Sequence, residues 1–168
     1  TLQASLTRTD DPSVLLATVT ITNSGAGHHL PTGANDLRQV WLEVVLRDEH
    51  GQVVWHSGSM DQYGVLDSST VQFRKVLGDA SGQPIELHRI WAATRVLSDT
   101  SLKPWETRRI PFRIVLTQPA PAAYTLTVRL LYRDVSQAFA EFALNRAVSD
   151  LAILEMARTA VDLGGPGD

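Results

Sequence analysis

Cysteine is absent from all 168 residues, which removes disulfides, thiol nucleophiles, cysteine-ligated zinc and iron–sulfur clusters together. Positive charge is not in excess either: 15 Lys and Arg stand against 18 Asp and Glu, a formal net charge of −3. A phosphate backbone needs a clustered cationic surface, so nucleic acid is not an expected partner. No apolar run nears the roughly 20 residues that cross a bilayer, and the opening TLQASLTRTD has no apolar signal core. No membrane span is therefore expected in these residues. The chain starts at Thr1 and not at Met, so a processed chain or a piece of a longer one is expected. Catalytic signatures are missing too. There is no HExxH and no GxSxG, and GAGHHLPTG lacks both the Lys-Ser/Thr and the helix of a phosphate loop.

What is present is ordinary globular composition, 43% hydrophobic and 20% charged. A chain of this length buries roughly 70% of its unfolded surface, enough for one real core. One domain over residues 1–163 is expected, with a flexible tail, GGPGD, at 164–168.

Period-two patterning dominates. Residues 13–22 set Ala17, Val19 and Ile21 against Thr18, Thr20 and Thr22, and residues 39–47 set Val40, Leu42, Val44 and Leu46 on one side. The turn 48–51, DEHG, followed by QVVWH, predicts a hairpin. Residues 57–107 read as short strands joined by long loops. Alternation returns at 109–116 and 124–132, on either side of the Pro/Ala-rich QPAPAA linker. Residues 136–145 predict a short helix with Ser136 as N-cap and Phe139, Phe142 and Ala143 at helical spacing. Over 151–163, Ala, Leu, Glu and Met favour helix whereas TAVDL favours strand, so propensity leaves both open. Strands punctuated by Gly/Pro turns predict an all-β, mainly antiparallel, Ig-like sandwich with one short C-terminal helix.

The chemistry concentrates in five histidines. His28 and His29 lie in Asn23-SGAGHHLPT-Gly33, where Gly25, Gly27 and Gly33 permit unusual backbone and Pro31 stiffens the exit. Such a loop holds a ligand imidazole in a fixed pose, or else one His bonds backbone and the other is solvated; residue chemistry leaves both open. His88, in ELHRIW beside Arg89 and Trp91, either covers a cofactor face or belongs to an amphipathic strand. His56 reads as a packed or exposed strand-end side chain, and His50 as a solvated turn residue. The pairs Asp10-Asp11 and Asp48-Glu49 suit turns, where Asp bonds local backbone. Residues 103–109, KPWETRR, read as a surface loop with Glu106 paired to a neighbouring Arg, or as a docking edge.

With these residues placed, the chain resembles the β-rich, non-haem domain of a group of bacterial multihaem c-type cytochromes. The shared pieces, in order, are the Asn-x-Gly-x-Gly-His-x-x-Pro-Thr-Gly loop at Asn23 to Gly33, RQVWLEV, the DxxG turn at Asp48 to Gly51, SDTSLKPWETR and VRLLYR. The resemblance implies a periplasmic or extracellular electron-transfer setting and docking on a haem-bearing domain or chain, with possible oligomeric assembly. It implies His28 as a distal axial ligand to haem iron, the one candidate metal ligand. His29 falls on a variable position; with His88 it completes the set of candidate cofactor-binding residues. Because CxxCH is absent, the haem c would be held in trans or on another segment, and no enzymatic role is expected. The alternatives are a non-redox Ig-like assembly module and a metalloenzyme in which His28, His29 and His88 converge on one ion.

Overall fold

The computed structural model describes residues 1–117, 123–149 and 151–164. Among these residues ten strands run in the order β1 (Leu2–Arg8), β2 (Val14–Thr22), β3 (Gln39–Asp48), β4 (Val53–Ser57), β5 (Gln72–Phe73), β6 (Lys75–Gly78), β7 (Arg95–Asp99), β8 (Thr107–Val115), β9 (Tyr124–Arg133) and β10 (Leu154–Leu163). Helix α1 (Gln137–Leu144) lies between β9 and β10. All strand pairings are antiparallel. One sheet has the order β1-β2-β8, a second β10-β9-β3-β4 with β5 also on β3, and β6-β7 form a separate ribbon.

The alternation read from the sequence is what joins the two main sheets. Ala17, Val19 and Ile21 of β2 meet Val40, Leu42, Val44 and Leu46 of β3 and Leu126, Val128 and Leu130 of β9 in one buried cluster. Each Val, Leu or Ile side chain among them contributes roughly 1.5–3 kcal/mol over remaining exposed. The architecture is thus an all-β sandwich, mostly antiparallel, with one helix.

Several local expectations are sharpened. The DEHG turn closes through Asp48, whose carboxylate accepts the amides of His50 and Gln52 at 2.9 and 2.8 Å. Ser136 caps α1 by accepting the Phe139 amide at 3.2 Å, but the buried face of that helix is Ala140, and Phe142 stands exposed. The ambiguous C-terminal segment is strand β10, because β9 offers it an antiparallel edge, followed from Leu154 to Leu163 with one register shift between Glu155 and Ala157. β1, whose Leu2, Ala4 and Leu6 alternate, pairs along its full length with β2. The 109–116 and 124–132 strands belong to different sheets; the QPAPAA linker between them lies, apart from Ala123, outside the described residues. So does the expected flexible tail, apart from Gly164.

Beyond the inner faces, β3 is buried on its other side through Trp41, whose indole N–H donates to the Gly58 carbonyl at 3.2 Å. There the chain leaves β4 so close to β3 that Gly58, at φ +85°, has no room for a side chain.

Candidate functional site

The histidine loop connects β2 to β3, and a second segment, residues 100–106, clamps it. Leu30 and Leu102 exchange both backbone hydrogen bonds at 2.9 Å, a one-rung antiparallel bridge. Asn23 and the 105–106 backbone exchange two more, from Asn23 N to the Glu106 carbonyl at 3.0 Å and from Trp105 N to the Asn23 carbonyl at 2.9 Å. The buried Asn23 side chain donates to the carbonyls of His28 at 2.9 Å and Leu102 at 3.2 Å and accepts the Ala26 amide at 3.3 Å. A side-chain amide with both donors and its acceptor occupied inside the protein fixes the curvature of the loop. At the exit the Leu30–Pro31 peptide is cis, and Arg38 donates from Nη1 to the Thr32 carbonyl at 2.8 Å. Of the glycines, Gly33 adopts a left-handed φ of +72°, whereas Gly25 and Gly27 do not. A Cβ at either of those two would meet nothing within 4 Å. The loop's pose therefore rests on Asn23 and the bridge more than on glycine.

The two neighbouring histidines have separate partners. His28 is exposed, and its Nδ1 lies 2.8 Å from the His29 carbonyl. A carbonyl only accepts, so the proton sits on Nδ1, and in the neutral ring Nε2 keeps its lone pair. His29 is half-buried, with Nδ1 3.0 Å from Ser101 Oγ. The Ser101 hydroxyl gives its single proton to Asp99 Oδ1 at 2.5 Å, so it accepts from His29. That polarity is opposite to a hydrolase triad, in which the imidazole takes the serine proton, so this serine is not an activated nucleophile.

His29 lines an open cleft of about 570 Å³ with Asp99, Ser101, Lys103, Glu106 and Arg108. Its carboxylates are paired at home. Asp99 Oδ2 lies 3.1 Å from Lys75 Nζ, and Glu106 Oε1 lies 2.6 Å from Arg108 Nη2. Arg108 also donates to the Thr100 and Ser101 carbonyls at 2.7 and 3.1 Å, which ties the clamp to β8. So the Glu106–Arg pair read from the sequence is present, and its setting is a buttress for the histidine loop.

Partial burial alone would raise the Asp99 carboxyl, but the Ser101 hydroxyl, Lys75 and the Ser101 amide outweigh it and bring it down to about 2 from its ordinary 3.8. A depressed acid contributes stability above its unfolded value and loses it as pH falls through the folded one. The urea midpoint of wild type should therefore exceed that of Asp99→Asn by a full margin above pH 4, and the gap should close as pH is lowered from 3.8 toward 2. A gap independent of pH would show that the carboxylate charge adds nothing to the clamp.

His88 lies elsewhere, with Nδ1 2.8 Å from Asp36 Oδ2 and its ring edge-on to Phe139 at 6.2 Å. The segment is no amphipathic strand; Leu87 and His88 both have positive φ, and a 3-10 turn, Ile90–Ala92, follows. His56 is exposed on β4, and His50 is a solvated turn residue 3.6 Å from Glu49. Among the described residues no group of three or more His, Asp or Glu is placed to hold a metal ion, so His28, His29 and His88 do not form one metal centre. Sequence reasoning missed Asn23, Asp36, Asp99 and Ser101 as site residues. Asp99-Thr-Ser101 carries an Asp-x-Ser turn signal, but the pairing of Ser101 with His29 and of Asp36 with His88 is a long-range fact.

The sequence matches no protein-family model and no curated protein. Among solved structures, a penta-heme cytochrome c552 from Thermochromatium tepidum superposes with a TM-score of 0.70 and 25% identity over 96% of this chain. The chain spans 39% of that cytochrome's length. A putative beta-galactosidase from Bacteroides fragilis aligns at a TM-score of 0.41 and 14% identity, covering 96% of this chain and 16% of that one, too low to bear on the reading. The shared fold links the chain to a multihaem cytochrome. No thioether haem attachment is possible on a chain without cysteine.

Proposed function

We propose that this chain is the accessory β-sandwich of a multihaem electron-transfer assembly, docked on a haem-bearing module and presenting His28 to a haem iron attached elsewhere. The observation that carries the reading is the fold shared across nearly the whole chain with part of a penta-heme cytochrome. The donor chemistry fits such a group. His28 is exposed, its Nδ1 proton is engaged by a backbone carbonyl, and its Nε2 lone pair is free to coordinate, an arrangement general to ligating histidines. Haem supplies one-electron transfer when bound. The part played by this chain is to hold the imidazole in one tautomer on a clamped loop and to keep water and other ligands from the position it fills. An exported setting, periplasmic or extracellular, goes with this role.

The test is coexpression with the CxxCH-bearing sequence that continues or adjoins the reading frame. His28→Ala should convert one ferric haem of the assembly from low-spin to high-spin, read by electron paramagnetic resonance and by the Soret band. An unchanged bis-histidine spectrum would remove His28 from the iron.

A further inference from the structure

We infer that His88 is a second imidazole site for c-type haem iron, with Asp36 as the residue that positions it; the inference rests on the reading that this chain docks on a haem-bearing module. Two consecutive non-glycine residues, Leu87 at φ +53° and His88 at +58°, occupy the left-handed region. Such conformations cost of order 1–2 kcal/mol per residue and persist where the surroundings over-determine them. Two other segments and one local bond combine to do so. From the β2–β3 loop the Asp36 carboxylate, its side chain only 10% exposed, accepts a hydrogen bond from His88 Nδ1–H. Phe139 of α1 packs on the ring at an interplanar angle of 83°, and Ile90 N donates to the His88 carbonyl at 2.7 Å. The ring is thereby fixed, while its side chain stays 33% exposed and Nε2 makes no hydrogen bond among the described residues. Carboxylate–imidazole pairing of this kind sets orientation and tautomer in ligating histidines.

The surroundings suit an apolar macrocycle and not a free ion. Beyond the exposed Arg89, Ile90 and Trp91 are exposed as well, Trp91 by 80%. The helix that carries Phe139 exposes Phe142 and Leu144, by 61% and 54%. Close by, the 61–65 turn, whose Gly64 carbonyl accepts from Arg133 at 2.9 Å, exposes Tyr63 and Val65. Exposed large apolar side chains on these segments are the kind of surface that marks an interaction site. A single imidazole with no companion ligands fails to make a multidentate metal site, as the absence of a three-residue ligand group among the described residues shows. Haem iron, already held by its ring and a proximal ligand, needs only one further imidazole.

The test uses the whole chain in a His50→Asn, His56→Asn background, titrated with a haem c undecapeptide that has one proximal histidine and an open sixth position. Low-spin conversion is followed by the Soret shift. His88→Ala should remove one binding equivalent, and Asp36→Asn should weaken that equivalent by about tenfold while leaving the one lost in His28→Ala. In the unliganded chain, nitrogen-15 chemical shifts should place the His88 proton on Nδ1, a measurement that needs no variant. An unchanged stoichiometry in His88→Ala, or an Nε2–H tautomer in the wild type, overturns the inference whatever His28 does. Loss confined to His88→Ala, with His28→Ala silent, upholds it and instead overturns the role given to His28.

Discussion

Gly58→Ala is expected to destabilise the fold by about 2–5 kcal/mol, from a left-handed penalty of roughly 1–2 and an overpacking cost of roughly 1–3. Its Cβ would lie 2.1 Å from the Leu42 carbonyl oxygen and 2.9 Å from the Glu43 Cα, both on the backbone of central strand β3. Neither atom can swing aside as a flexible side chain does. Moving Gly58 away instead breaks the bond its carbonyl accepts from Trp41, a fully buried ring. The melting temperature should fall by about 4–20 °C, given about 2–4 °C per kcal/mol at this size. Gly51→Ala is the matched control, since Gly51 also has positive φ, +77°, but nothing lies within 4 Å of its Cβ position. It should cost only the conformational part, about 1–2 kcal/mol. Equal losses in the two variants would show that β3 can yield at Leu42.

Asn23→Ala is expected to cost about 2–4 kcal/mol, because burial denies water to the partners it abandons. The His28 and Leu102 carbonyls lose a donor each and the Ala26 amide loses its acceptor, at a position 4% exposed. Asn23→Asp should be no better, as it places carboxylate oxygen against two carbonyls. Urea denaturation gives the magnitude, and amide exchange gives the place: Ala26 should lose protection ahead of the β2 amides. A cost under about 1 kcal/mol would mean that the Leu30–Leu102 bridge sets the loop unaided. In the proposed assembly the same variant should loosen His28 without touching it, since the carbonyl of His28 is one of the anchors.

Where the sequence was legible, the reason is that one strand's alternation already states which face is wet. Residues 14–22 and 39–48 could be read this way because their buried and solvated faces differ in residue type. Residues 154–163 could not: helix formers and strand formers are mixed there, and all ten sit exposed or half-buried. What decides that segment is the free edge of β9, which no local pattern announces. The same holds for Trp41, apolar on the nominally outward face of β3 and buried because a loop crosses above it.

The histidines divide likewise. The absence of cysteine, the His-His pair inside a loop closed by Pro-Thr-Gly, and the all-β alternation are properties of the sequence by itself, and they suffice to exclude a covalently attached haem within these residues and to single out the loop. Which atoms hold each ring was decided only by the tertiary structure: His28 against the next carbonyl, His29 through Ser101 to Asp99, and His88 against Asp36, 52 residues away. The physical reason is that alternation and turn chemistry act within a few residues, whereas a tautomer is set by whichever donor or acceptor the fold brings within 3 Å.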